Sequence, residues 1–170
     1  LSECVEFYEG AFDAANPRHA RIVAFGLSRL AARDAHAARL AFEQYARAGQ
    51  IEPATLGSAA PRIANALAAV SPRTAMHWIM GLDARVRSDA LGEDAVRHAL
   101  RGEGWDDVLA TLDLLPAPLA ASERWQYWAA RSRDGAAGNG SSAQATWSQL
   151  GATRSYYGFL AADRIGRGYA

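Results

Sequence analysis

Apolar residues recur along this chain at spacings of three and four, the period of a helix face. After Asn16-Pro17, Ile22, Phe25, Leu27, Leu30 and Ala31 follow that spacing, which predicts a helix of about four turns with these side chains inward. Asn16 before Pro17 is a helix start, the amide side chain capping free N–H groups and the ring fitting the first helical position. Asp34 is placed to cap the next helix, with Ala38, Leu40, Ala41 and Tyr45 on its inner face and Gly49 as its stop. Pro53 and Pro61 bracket the start of a helix through Ile63, Leu67 and Val70. Ser71-Pro72 opens another that carries Met76, Ile79 and Met80 to Gly81. Further helices are expected over about 85–101, 105–115, 122–133, 142–150 and 155–165. The run Asp134 to Ser142 holds three glycines and reads as the most flexible connection, 134–142. Alternating β-branched runs, which strands require, are missing.

The pattern predicts an all-α chain of about nine or ten helices joined by short loops. Each pair occupies roughly 30 to 40 residues, the range of helical repeat proteins. The expected architecture is an α-solenoid, a superhelix of stacked helical hairpins. The repeat is degenerate and carries no strict tetratricopeptide signature.

Composition narrows the function classes. The chain has 170 residues with 18 basic and 18 acidic side chains, and a pI near 7.1. A neutral balance gives no general electrostatic footprint for nucleic acid. No apolar run reaches the roughly 18 to 20 residues of a membrane span. Every basic residue is arginine, and alanine makes up close to a quarter of the chain, a coding bias with no functional content. Cys4 alone forms no internal disulfide or thiolate metal site. The opening Leu1, without a basic or apolar leader, reads as an internal piece of a longer protein with any export signal upstream.

Catalytic candidates are few. His19, His36, His77 and His98 fall on four different helices, and none pairs with another at the i, i+4 spacing of a zinc site. Gly104, Gly135, Gly138 and Gly140 do not form a phosphate-binding loop, since no lysine follows them. Asp106 and Asp107 suit an acidic first helical turn, favoured by the helix dipole, better than an acid–base pair. Glu3, Glu6 and Glu9 share one side of a short helix and read as a solvated face. Large aromatics gather late in the chain: Trp125, Tyr127, Trp128, Trp147, Tyr156, Tyr157 and Phe159. Such rings stack on sugars or bases, but their helical spacing favours packing between helices, with Arg124, Arg131, Arg133 and Arg164 in surface contacts. No catalytic, cofactor or metal residue is assigned, and no substrate-contact residue is singled out.

Three late segments carry a resemblance. Gly102-Glu103-Gly104-Trp105-Asp106-Asp107-Val108, with Leu112, Leu115 and Pro116 beyond it, is the first. The second is Arg124-Trp125-Gln126-Tyr127-Trp128-Ala129-Ala130-Arg131. The third runs from Arg154 through Ser155-Tyr156-Tyr157-Gly158-Phe159-Leu160-Ala161-Ala162-Asp163 to Arg164. In this order and spacing they resemble the α-superhelical part of the soluble lytic murein transglycosylases, most strongly over 102–169. Residues 1–101 agree only in helical texture, and the whole of 1–170 is read as one fragment of that superhelical domain.

The resemblance implies a periplasmic parent, exported by a signal peptide upstream, that cleaves the MurNAc–GlcNAc bond of peptidoglycan to 1,6-anhydromuramoyl products. It also implies a lysozyme-like C-terminal domain, in the same polypeptide, carrying the catalytic Glu in a Glu-Ser motif. No Glu here is followed by Ser. The chain is then expected to be a non-catalytic scaffold that positions the glycan or supports that domain, with no cofactor. The competing reading is a tetratricopeptide-like adaptor for a peptide or protein, with no enzymatic parent.

Overall fold

Short polar side chains and prolines set the helix starts in the computed structural model, which describes residue 13 and residues 16–102, 104–138 and 143–168. Helix α1 (Pro17–Ala31) begins where Asn16 Oδ1 accepts from the Arg18 N–H at 2.9 Å. Helix α2 (Ala35–Ala48) is capped by Asp34, which accepts from the Ala37 N–H, and stops at Gly49 in the left-handed conformation. One turn, α3 (Pro53–Gly57), is capped by Glu52, and α4 (Ala60–Val70) follows with Pro61 in its first turn. Ser71 caps α5 (Pro72–Met80). Helix α6 (Asp89–Arg101) starts later than the expected residue 85, because Asp83 turns its carboxylate onto the Arg85 N–H and side chain and holds a turn there.

Beyond Gly104 come α7 (Trp105–Leu112), a single turn α8 (Ala117–Ala120) after Pro116, and α9 (Glu123–Ala137). The last two are α10 (Gln144–Leu150) and α11 (Tyr156–Arg164), the latter capped by Ser155. All regular structure among the described residues is helical, as the fold class expected. The one-turn helices α3 and α8 are additions where proline alone was read as a break. The short helix expected around Glu3, Glu6 and Glu9 lies outside the described residues.

The chain divides into two compact units, residues 1–91 and 92–170. In the first, α1 packs on α2, α3 and α4, and α4 packs on α5. Phe42, Leu56, Ile63, Leu67, Met76 and Ile79 are fully buried there. Each such side chain stabilises the fold by roughly 1.5–3 kcal/mol relative to exposure. The inner stripe of α1 differs from expectation: Ala20, Ala24, Leu27 and Ala31 are buried, while Ile22 and Phe25 face out, Phe25 being 68% exposed. On α2, Ala38 and Phe42 are inward and Leu40 is exposed, and Val70 of α4 is exposed too. The inner positions of α1 are thus held mostly by alanine and the larger apolar residues lie outward.

In the second unit α9 packs against α7, α8, α10 and α11, and α10 packs on α11. Its core is aromatic: Tyr127 and Trp147 are buried with Ala130, Ala143, Leu150 and Ala161, and Trp125 is buried elsewhere on α9. Helix α9 also runs past the expected end at Arg133 to Ala137, with Gly138 left-handed at its C-cap. Residues 134–137 are therefore helix, and the connection begins later than 134.

Candidate functional site

The three late segments converge within the second unit. Trp105, first residue of α7, lies against α9 at Gly135, where a Cβ would sit 2.5 Å from the indole Nε1. Any larger residue at 135 displaces the indole. The Arg131 guanidinium lies 5.9 Å from the Trp105 ring centroid and 5.5 Å from that of Trp128, between two aromatic faces. Tyr127 meets Trp147 edge-on at 5.3 Å and Tyr157 at 5.5 Å, joining α9, α10 and α11. Gly158, in the middle of Tyr156-Tyr157-Gly158-Phe159, is needed for a different close approach. A Cβ there would collide with the Thr153 carbonyl oxygen and hydroxyl.

Polar contacts fix these rings. Trp125 Nε1 donates to Glu93 at 3.0 Å. Trp147 Nε1 donates to the buried Asp134 at 2.7 Å, and the Ala143 N–H donates to the same carboxylate at 3.1 Å. Arg164 brings its Nε within 4.0 Å of Asp134 and its guanidinium 5.2 Å from the Trp147 ring. The late aromatics therefore act first as packing between helices. Of them only Tyr156, at 69%, and Phe159 are exposed. Asp134, read from sequence as linker, is the polar centre of this core; its only sequence signal is position, one turn past Ala130 on the inner face of α9.

The histidines remain apart. His19 Nδ1 lies 3.1 Å from the Asp13 N–H at the surface, and His36 and His77 are exposed. His98 is buried with no hydrogen-bond partner on either ring nitrogen. Burial, opposed by Asp94 and reinforced by Arg101 and Arg97, pushes its pKa below the ordinary histidine value. Asp106 and Asp107 occupy the first turn of α7. Among the described residues no group of three or more His, Cys, Asp or Glu side chains is placed to hold a metal ion, and no helix is long and apolar enough to cross a membrane.

The first unit holds a feature that the sequence reading missed. A cleft of about 450 Å³ opens between α2 and α5, lined by Arg39, Glu43, Thr74, His77, Trp78 and Leu82. Arg39 Nη1 lies 3.6 Å from Glu43 across one turn of α2, and Trp78 meets Phe42 edge-on at 5.4 Å. In sequence only His77 drew notice; the i, i+4 pairs Arg39/Glu43 and Thr74/Trp78 were the available signal.

No protein-family model and no curated protein matches the chain. Solved structures do. An inactive mutant of the lytic transglycosylase Slt from Pseudomonas aeruginosa is 32% identical over 98% of this chain, with a TM-score of 0.72. The 70 kDa soluble lytic transglycosylase from Escherichia coli is 27% identical over 86% of the chain, with a TM-score of 0.66. A complex of the 70 kDa soluble lytic transglycosylase with bulgecin A, at 24% identity over 91% of the chain and a TM-score of 0.67, adds a likeness of fold alone. The chain spans 27%, 24% and 27% of those proteins. It is similar, in fold and over nearly its whole length, to part of the helical domain of the soluble lytic transglycosylases.

Proposed function

We propose, from that likeness, that the chain is a non-catalytic scaffold segment of a lytic transglycosylase of the bacterial cell wall. Its parent acts on peptidoglycan in the periplasm, cutting the MurNAc–GlcNAc bond to leave 1,6-anhydromuramoyl ends. A lysozyme-like domain further along the polypeptide supplies the catalytic Glu. The segment positions the glycan strand or supports that domain. The observation that carries this reading is the likeness to the Pseudomonas aeruginosa transglycosylase over 98% of the chain. The packing of the three late segments within one unit supports it: Trp105 seats against Gly135 and beside Arg131, and Tyr127 meets Tyr157, which are scaffold tasks.

Purified sacculi test the proposal. The 170-residue chain alone is expected to release no anhydro-muropeptides, whereas the polypeptide extended through the downstream coding region releases them. Release by the 170 residues alone overturns the scaffold role. A reading frame that closes shortly after Ala170 overturns the enzymatic parent and leaves a stand-alone binding module.

A further inference from the structure

Two residues that line the cleft between α2 and α5 carry buried N–H donors with no acceptor. Trp78 Nε1 and Arg39 Nε are both out of reach of water and without a hydrogen-bond partner. Buried donors in folded proteins are almost always paired, and each exception calls for a reason. Here the contrast is internal to the molecule, since Trp125 and Trp147 each donate to a carboxylate. Both belong to residues that line one cleft, and once Arg39 moves aside an acceptor brought from outside can complete them.

The neighbouring groups narrow what that acceptor is. The Arg39 charge already faces Glu43 at 3.6 Å, so an anion gains little there, and a neutral carbonyl oxygen suits both donors. Glu43 offers a carboxylate to an incoming N–H. Leu82 and the Trp78 ring offer apolar surface for a methyl group, and Thr74 a hydroxyl. A carbonyl, an N–H and a methyl on one small planar unit describe an acetamido group. The volume, about 450 Å³, falls within the roughly 300–1,000 Å³ of small-ligand sites. We propose that this cleft binds an acetamido group, of the kind borne by N-acetylated amino sugars and acetylated peptides. Its oxygen accepts from Trp78 Nε1 and Arg39 Nε, and its N–H donates to Glu43. Arg39 must shift to admit it, and its side chain, 34% exposed and held at a distance too long for a hydrogen bond, is free to do so. An amino-sugar source rests on the function proposed above, whereas the acetamido chemistry stands without it.

The test follows the indole N–H signals of the five tryptophans by NMR in the full 170-residue chain. The probes are tri-N-acetylchitotriose, cellotriose and N-acetyl-alanine methylamide. The expected result is a saturating shift of the Trp78 signal with chitotriose and none with cellotriose. Trp78→Phe removes the N–H together with the five-membered half of the indole, so it should weaken chitotriose binding roughly tenfold. A shift with the acetylated peptide alone keeps the acetamido site and removes the sugar source. No Trp78 shift with either acetylated probe, or an equal shift with cellotriose, overturns the site. Anhydro-muropeptide release by the chain alone would break the scaffold reading while leaving a chitotriose shift at Trp78 intact, so the two failures are separable.

Discussion

Each unit of the chain buries a tryptophan, and the two are treated in opposite ways. Trp147 in the second unit is 1% exposed and gives its N–H to Asp134 at 2.7 Å. Trp78 in the first unit is 7% exposed and gives its N–H to nothing. Around Trp147 the polar groups converge from α9, α10 and α11 and complete one another. Around Trp78 they converge on an open cleft and leave donors over. Within this contrast a satisfied buried network fixes one packing of the core, whereas an unsatisfied pair of donors beside a cleft is suited to a ligand.

The largest expected effect breaks the satisfied side. Asp134→Ala leaves the Trp147 indole N–H and the Ala143 backbone N–H buried without acceptors. At about 1–3 kcal/mol per orphaned buried donor, a loss of about 2–6 kcal/mol is expected, read as a lower midpoint in urea unfolding with tryptophan fluorescence. Asp134→Asn, which keeps an acceptor oxygen, should lose less. A variant as stable as the parent would show that the carboxylate is dispensable and that ring packing alone holds α10.

Exchanging the same atom in both units comes next. Trp147→Phe takes one donor from the buried Asp134 carboxylate and removes indole volume, and about 1–3 kcal/mol of stability should be lost. The matching Trp78→Phe removes the same volume but an N–H that has no partner in the fold, so it should lose less stability than Trp147→Phe. Equal losses in the two variants would erase the contrast between the units.

The same contrast governs what was legible in the sequence. Helix starts at Asn16-Pro17, Asp34 and Ser71-Pro72, and the stop at Gly49, are local chemistry and stand where the residues put them. The motif segments of the second unit were legible because their large aromatics and glycines are rare types at fixed spacing. Asp134 was not, since its partners Ala143 and Trp147 come from beyond a glycine-rich stretch that reads as a linker. In the first unit the inner face of α1 runs through Ala20 and Ala24 and leaves Ile22 and Phe25 outside, so the largest apolar residues do not mark it. The cleft escaped notice for a related reason: Arg39 and Glu43 come from α2 and Trp78 from α5, and no spacing within one helix unites them.

The smallest effect sharpens the comparison inside the second unit, where His98 is a buried ionisable side chain without a network. Its two ring nitrogens find no partner, and burial holds its pKa below the ordinary 6.5, with Asp94 opposing and Arg101 and Arg97 assisting. Above pH 6.5 the ring is neutral in both the folded and unfolded chain, so it adds no pH dependence. As pH falls through 6.5 the unfolded chain takes up the proton first, and folded stability declines until the native ring also protonates. His98→Leu removes this linkage while keeping an apolar side chain of similar bulk. Its stability should therefore fall less steeply than the parent's between pH 7 and 5 in parallel urea titrations. Parallel slopes for the two proteins would mean that the native ring accepts its proton as readily as the unfolded one, and His98 would then join Asp134 among the satisfied groups of this unit.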